Sequence, residues 1–228
     1  MVATATDLLG EFNTAVTAYA ESDEISLVFP PSADDGRPSL PYGGRIQKLI
    51  SLSAGLASAR FNSHMARQPF ESSEAHLAER VSRSAAHFDS RFFELPSADE
   101  LTDYFRWRAL MDCRRNSISA LGQAHYTPQE LHRVSALETL RRLRDEKGVE
   151  WDEQPPWFRF GTYVKKERYE KRAYNPVTSE QVMAERTRYT RCSFALEPDD
   201  AAFLLDRVWA SDFLRALRSS DEVGKVVP

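Results

Sequence analysis

Apolar and polar positions change rhythm several times along the chain, and each change marks an element. AVTAYA (15–20) and ISLVF (25–29) read as two strands, with Ile25, Leu27 and Phe29 alternating with Ser26 and Val28. Glu21-Ser22-Asp23 is then the tip of a hairpin. A short helix over 4–13 leads into it, and a loop rich in Pro, Asp and Gly (30–44) follows. GGRIQKLISLSAGLASARF places Ile46, Leu49, Ile50, Leu56, Ala57 and Phe61 on one helical face. Residues 66–86 are polar and unpatterned, a surface excursion, and FDSRFFELP (88–96) reads as a strand.

Ser97-Ala98-Asp99-Glu100 has the form of a capping box and opens a long helix to about Gly122. Thr127-Pro128-Gln129-Glu130 opens a second, and Leu137, Leu140 and Leu143 continue or follow it to near Gly148. EQPPWFRFG breaks the chain before two long strands, about 159–172 and 182–195. Pro198-Asp199-Asp200 begins a last amphipathic helix through Phe203, Leu204, Val208, Trp209, Phe213 and Leu217. A strand hairpin, a helix, a strand and more helices in this order predict an α+β fold.

Composition narrows the class. With 228 residues, 42% hydrophobic and 28% charged, the chain is globular. No apolar run reaches the roughly 20 residues of a membrane span. The start, MVATATDLLGEF, has neither the basic nor the apolar region of a signal peptide. Cys113 and Cys192 fit no zinc spacing and read as reduced thiols of a cytoplasmic protein. Net charge is −4, but unevenly spread: residues 159–191 hold nine Lys/Arg against four Glu. That segment, YVKKERYEKRAY with its interleaved tyrosines, suits a phosphate backbone as well as it suits a solvated hairpin face.

Candidate chemistry lies at three places. The acidic side chains of the hairpin tip are either solvated turn residues or metal ligands at the end of two rigid strands. Gly43-Gly44-Arg45 starts a helix on which Arg45 and Lys48 share one face, a seat for phosphates or an ordinary solvated surface. Arg108, Asp112 and Asn116 recur every four residues, a polar line on a helix whose other face is Tyr104, Trp107, Met111 and Ile118. The five histidines show no metal-ligand spacing. A metal carboxylate with a triphosphate seat is the minimum equipment for nucleotidyl transfer.

ESDEISLVF, RIQKLISLSAGLASARF, HFDSRFFELPSADELTDYFRWRALMDCRRNS and FRFGTYV, in that order, resemble the tRNA-His guanylyltransferase family and its bacterial and archaeal relatives. The resemblance runs from about residue 4 to about 195. It implies a polymerase-palm-like (ferredoxin-like) antiparallel sheet with helices on one face, followed by a β-ribbon and helices. Residues 1–125 would be the catalytic part, incomplete at its start, and 126–228 the part that contacts tRNA. The implied activity adds G, or templated nucleotides, to the 5′ end of tRNA with Mg2+, GTP and ATP. The 5′ phosphate is first activated, and the 3′ hydroxyl of GTP then attacks it. By the same resemblance, Asp23 falls on a metal ligand, with Ser22 beside it at the nucleotide and Glu24 next to it in the catalytic motif. Arg45 and Lys48 fall on triphosphate-holding residues, Asn116 on the family's asparagine, and Asp89 and Arg91 in a stretch where Ser90 replaces the usual glycine. A cytoplasmic homo-oligomer, a tetramer, is also implied.

Two departures stand out. Arg114-Arg115-Asn116-Ser117 replaces the His-Ile-Asn-Asn with which eukaryotic members read the tRNA-His anticodon, and so looks like the relatives that repair 5′-truncated tRNAs. The family's first strand and its Asp-Gly-Arg-Asn-Phe motif, with the second metal-binding carboxylate, are expected to be missing. Asp34-Asp35-Gly36-Arg37 is no substitute, since it follows the hairpin and Pro38 comes next. Neighbours on a strand point to opposite faces, so Asp23 and Glu24 chelate one ion together only with difficulty. Mg2+ needs near-octahedral ligands at about 2.0–2.1 Å, which one Asp alone supplies poorly. Two other functions fit the same residues: a tRNA-binding remnant without activity, and another palm-type enzyme such as a nucleotide cyclase.

Overall fold

The computed structural model describes residues 1–31 and 40–206, apart from the side chains of 167 and 168. The expected hairpin is present as β1 (Thr17–Glu21) and β2 (Glu24–Val28), in a register that sets Glu21 opposite Glu24 and Tyr19 opposite Ser26. Only Ser22 and Asp23 connect the strands. A two-residue loop matches strand twist only through left-handed backbone, and Ser22 supplies it with φ 47. Glu21 is thus the last residue of a strand, not a tip residue as its charge suggested, because the alternation of AYAE runs on through it.

β1 also pairs with β3 (Thr162–Asn175), and β3 with β4 (Glu180–Cys192). The result, among the described residues, is an antiparallel sheet in the order β2-β1-β3-β4. β1 engages β3 only over Thr162–Lys165; beyond that β3 and β4 run on as a two-stranded ribbon.

Period-two alternation gives the sheet two apolar faces. Tyr19, Val28 and Tyr163 pack against Phe105 and Ala109 of the long helix and against Phe203 and Leu204 of α9 (Ala201–Leu205). Ala18, Ala20 and Val164 pack against α1 (Val2–Glu11) and α2 (Ile46–Met65). The α+β class and the palm-like sheet agree with expectation; the helices flank both faces of the sheet instead of gathering on one. Gly161, just before β3, has φ +74, and a Cβ there would lie 2.5 Å from the Tyr19 hydroxyl. Only glycine lets the chain turn there while that hydroxyl donates to the Phe160 carbonyl at 2.8 Å.

The long helix is continuous: α4 (Ala98–Trp107), a π-helical turn (Arg108–Cys113) and α5 (Arg114–His125). Ser97 caps it by accepting from the Glu100 amide, half of the expected box. It runs past Gly122, whose missing Cβ lets Thr139 approach. The Thr127 box is complete but opens only one turn, α6 (Pro128–Leu131), since Arg133 takes φ 60. α7 (Ala136–Arg142) is a separate helix, prolonged by a π turn to Lys147 and closed by Gly148 at φ 65.

Three segments correct the sequence reading. Residues 66–86 include α3 (Ala75–Ser82), whose burial is too slight to read from its polar composition. FDSRFFELP forms no ladder among the described residues; α2 holds it through Ser58 Oγ on the Phe88 amide (2.9 Å) and Ser53 to Ser90 (2.7 Å). Phe88 and Phe92 tuck into the core beneath, so the apolar pattern reflects anchoring, not pairing. PWFRF forms a short helix, α8 (Pro156–Phe160), before β3. The DGR stretch and the later part of the last helix lie outside the described residues.

Candidate active site

A two-residue turn in this register puts Glu21 and Glu24 side by side on the face that carries Tyr19. The long helix crosses that face. The inward face that begins with Thr102 and Phe105 continues through Arg108 and Asp112, with 8% and 6% exposure, while Trp107 and Met111 point outward, with 51% and 64%. The sequence pattern implied the reverse. The buried carboxylate of Glu21 supplies the partner that makes these inward polar groups tolerable.

The resulting cluster has three carboxylates, Glu21, Glu24 and Asp112, whose oxygens lie within 4.8 Å of one another. Arg108 contacts all of them: Glu21 Oε1 at 3.4 Å, Asp112 Oδ2 at 2.5 Å, and Glu24. Arg115 pairs with the other Asp112 oxygen at 2.5 Å, and Asn116 Nδ2 stands 3.5 Å from Glu21 Oε2. Burial pushes the Glu21 carboxyl above its ordinary value; Arg108 and the Asn116 contact oppose the rise, while Asp112 and Asp23 add to it. Burial likewise raises the neighbouring Cys113 thiol to about 12, leaving it no nucleophile at neutral pH.

As a donor set for Mg2+, the trio fits in chemistry. All ligands are hard oxygens, and octahedral Mg2+ needs oxygens spaced by roughly 3–4 Å. Glu21 Oε1 is buried and accepts no hydrogen bond, with Arg108 Nη2 3.4 Å away. The centre, however, is held by a guanidinium.

Of the residues expected at the site, Ser22 and Asp23 form the exposed turn. Asp23 has no hydrogen bond or ion pair among the described residues, so its carboxylate is open to an incoming cation. Glu24 is exposed at the edge of the cluster, and Asn116 reaches it through Glu21. Arg45 and Lys48 are brought together, but elsewhere. Arg45 Nε donates to the Tyr42 carbonyl at 3.1 Å and the Lys48 ammonium lies 5.8 Å over the Tyr42 ring. That ring packs on Phe12, which packs on Phe29 just beyond the end of β2. These two cations therefore sit toward the opposite end of β2 from Asp23, beside a helix N-terminus with no side-chain cap. Asp89 and Arg91 form an exposed pair at 3.4 Å. Glu21 was read only as one of the acidic residues of the hairpin tip, with no role of its own, although its place three residues before Glu24 across a Ser-Asp turn carried the signal.

Residues 1–96 match the family model "Thg1: tRNAHis guanylyltransferase". A curated relative, the uncharacterized protein R259 of Acanthamoeba polyphaga mimivirus, is 26% identical over 177 residues, 73% of this chain and 60% of that protein. The chain thus spans less than two thirds of the relative's length. The fold matches a bacterial tRNA(His) guanylyltransferase (Thg1)-like protein in complex with ATP at 26% identity, covering 80% of this chain and 69% of that one, with TM-score 0.59. A bacterial Thg1-like protein in complex with GTP matches at 26%, covering 81% and 66%, with TM-score 0.51. The tRNA(His) guanylyltransferase of Saccharomyces cerevisiae, 20% identical over 80% of this chain and 74% of that one with TM-score 0.52, shares the fold. The first 96 residues thus resemble the tRNA-His guanylyltransferase (Thg1) family, and the fold resembles that of solved Thg1-like proteins.

Proposed function

We propose that this chain is a magnesium-dependent nucleotidyltransferase that adds G, or templated nucleotides, to the 5′ end of tRNA. The observation that carries the reading is the exposed, unengaged carboxylate of Asp23 beside a buried acidic cluster, in a fold matched by proteins solved with ATP and with GTP. Mg2+, when bound, would neutralise triphosphate charge and favour ionisation of the attacking hydroxyl. Asp23 would hold it, with Ser22 at the nucleotide and Glu24 next to it in the catalytic motif; the turn fixes the position of Asp23 because both flanking residues are paired in strands. Asn116 orients Glu21 and so stiffens the strand end that carries the turn. Arg45 and Lys48, with the uncapped start of α2, would take phosphates of nucleotide or tRNA at the other end of β2.

Residues 1–125 would carry the chemistry and 126–228 would hold tRNA, chiefly through the ribbon, where Lys171, Arg172 and Arg186 are exposed. Repair of 5′-truncated tRNAs fits Arg114-Arg115 better than anticodon reading does. A cytoplasmic homo-oligomer, by family likeness a tetramer, completes the proposal. Incubating the chain with a 5′-truncated tRNA, GTP, ATP and Mg2+ tests it, and a lengthened product is expected.

One observation favours a second reading, a tRNA-binding protein without transfer: Arg108 and Arg115 already neutralise much of the acidic cluster. Retention of tRNA with no lengthening in the same reaction would decide for it.

A further inference from the structure

Like charges directly opposite each other on paired strands repel, and burial sharpens the repulsion. Glu21 and Glu24 are such a pair, and Asp112 adds a third carboxylate. Arg108 makes the arrangement tolerable, yet it fits it imperfectly. A guanidinium is flat and its donors lie in one fork, whereas these carboxylates come from two strands and a helix. Consequently Arg108 Nε is buried with no acceptor, and Glu21 Oε1, on a residue only 3% exposed, accepts no hydrogen bond although Nη2 stands 3.4 Å away. A small divalent ion attracts oxygens from all directions and would satisfy that orphaned atom. The guanidinium already lies 5.6 Å over the exposed Trp107 ring while it pairs with the carboxylates, at the solvent edge of the cluster.

We infer that Arg108 stands in the place of a divalent cation: guanidinium and metal ion are alternative occupants of the Glu21–Glu24–Asp112 cluster, and the ion enters as the guanidinium withdraws. The inference concerns the buried cluster and not Asp23, so it holds whether or not the chain transfers nucleotides. A protein built this way keeps its acidic cluster folded, with most of its charge balanced, at low metal concentration.

Mn2+ binding to the full chain, followed by calorimetry and by the electron paramagnetic resonance of free Mn2+, is the test. Arg108→Gln keeps much of the side chain's bulk without its charge and is expected to bind Mn2+ about tenfold more tightly or better than wild type. Adding Glu21→Gln to that variant removes the gain. Arg108→Lys, which keeps the charge on a shorter reach, falls between. Equal affinity in wild type and Arg108→Gln, or a gain that survives Glu21→Gln, overturns the inference. Should neither variant fold, the wild type decides through its arginine Nε–H resonances. Mg2+ is expected to open the buried Arg108 Nε–H to solvent exchange, and an Nε–H that stays protected at the highest Mg2+ overturns the idea.

Discussion

Glu21 and Glu24 face each other directly across the two-residue turn of the first hairpin, and the guanidinium of Arg108 lies against both. That ion pairing ties strand to helix, so removing it should be felt in the fold. Arg108→Ala leaves Glu21 and Asp112 buried beside each other without their counter-charge. Breaking a buried pair of this kind costs about 3–5 kcal/mol. Urea unfolding is expected to show a drop of that size. Glu21→Gln in the same chain removes the stranded charge and should restore a good part of it, a coupling that a double-mutant cycle reads directly.

Gly161 meets Tyr19 more closely than any side chain allows. Gly161→Ala adds a methyl 2.5 Å from the Tyr19 hydroxyl and holds a non-glycine residue at φ +74. Strain and overpacking together should cost about 2–4 kcal/mol in the unfolding midpoint experiment. An unchanged midpoint would mean that Tyr19 gives way without cost.

Which parts of this could be read in advance follows from local physics. The hairpin, the long helix, α7 and the β3–β4 pair were legible because periodicity and caps act within a few residues, as at Ser97, Thr127 and Gly148. Which face of the long helix turns inward was not, since Trp107 and Met111 look like core and Arg108 and Asp112 like surface until Glu21 is known to lie opposite. FDSRFFELP read as a strand because Phe88 and Phe92 are apolar anchors, and an apolar pattern alone does not say whether a ladder or a serine holds the backbone. At the site, charge at the tip was visible, but only pairing register shows that Glu21 and Glu24 point one way while Asp23 sits in the turn.

Lys165 should give the stability curve a recognisable slope. Burial lowers its ammonium to about 7, with the Asp206 carboxylate and Cys192 opposing that shift. Nζ donates to Thr17 Oγ1 at 2.7 Å and to the Asp206 carbonyl at 2.8 Å. A base whose folded value lies below its unfolded one holds fewer protons when folded between the two. Stability from this group therefore rises with pH, from about 7 toward the ordinary lysine value near 10.4, by up to about 1.4 kcal/mol per pH unit. Urea midpoints between pH 7 and 10 should climb in wild type and climb less in Lys165→Met. Parallel curves would contradict the burial of a titrating lysine.

The ribbon is expected to hold nucleic acid by charge. Lys171, Arg172 and Arg186 are exposed where β3 and β4 leave the sheet, outside the register that binds β1. Changing all three to Ala should weaken tRNA binding and flatten the plot of log K against log[salt] by about 2, at roughly 0.7–0.9 for each phosphate no longer neutralised. An unchanged slope would move the tRNA contact elsewhere on the protein.

The central claim rests on the open carboxylate of the turn, and the rate of labelled GTP incorporation into a 5′-truncated tRNA by wild type and Asp23→Ala measures it most directly. Wild type is expected to lengthen the tRNA only with Mg2+ present, and Asp23→Ala to lose about a hundredfold or more of that rate while still binding the tRNA. Incorporation that is equal in the two proteins, or absent from the wild type, would contradict the account.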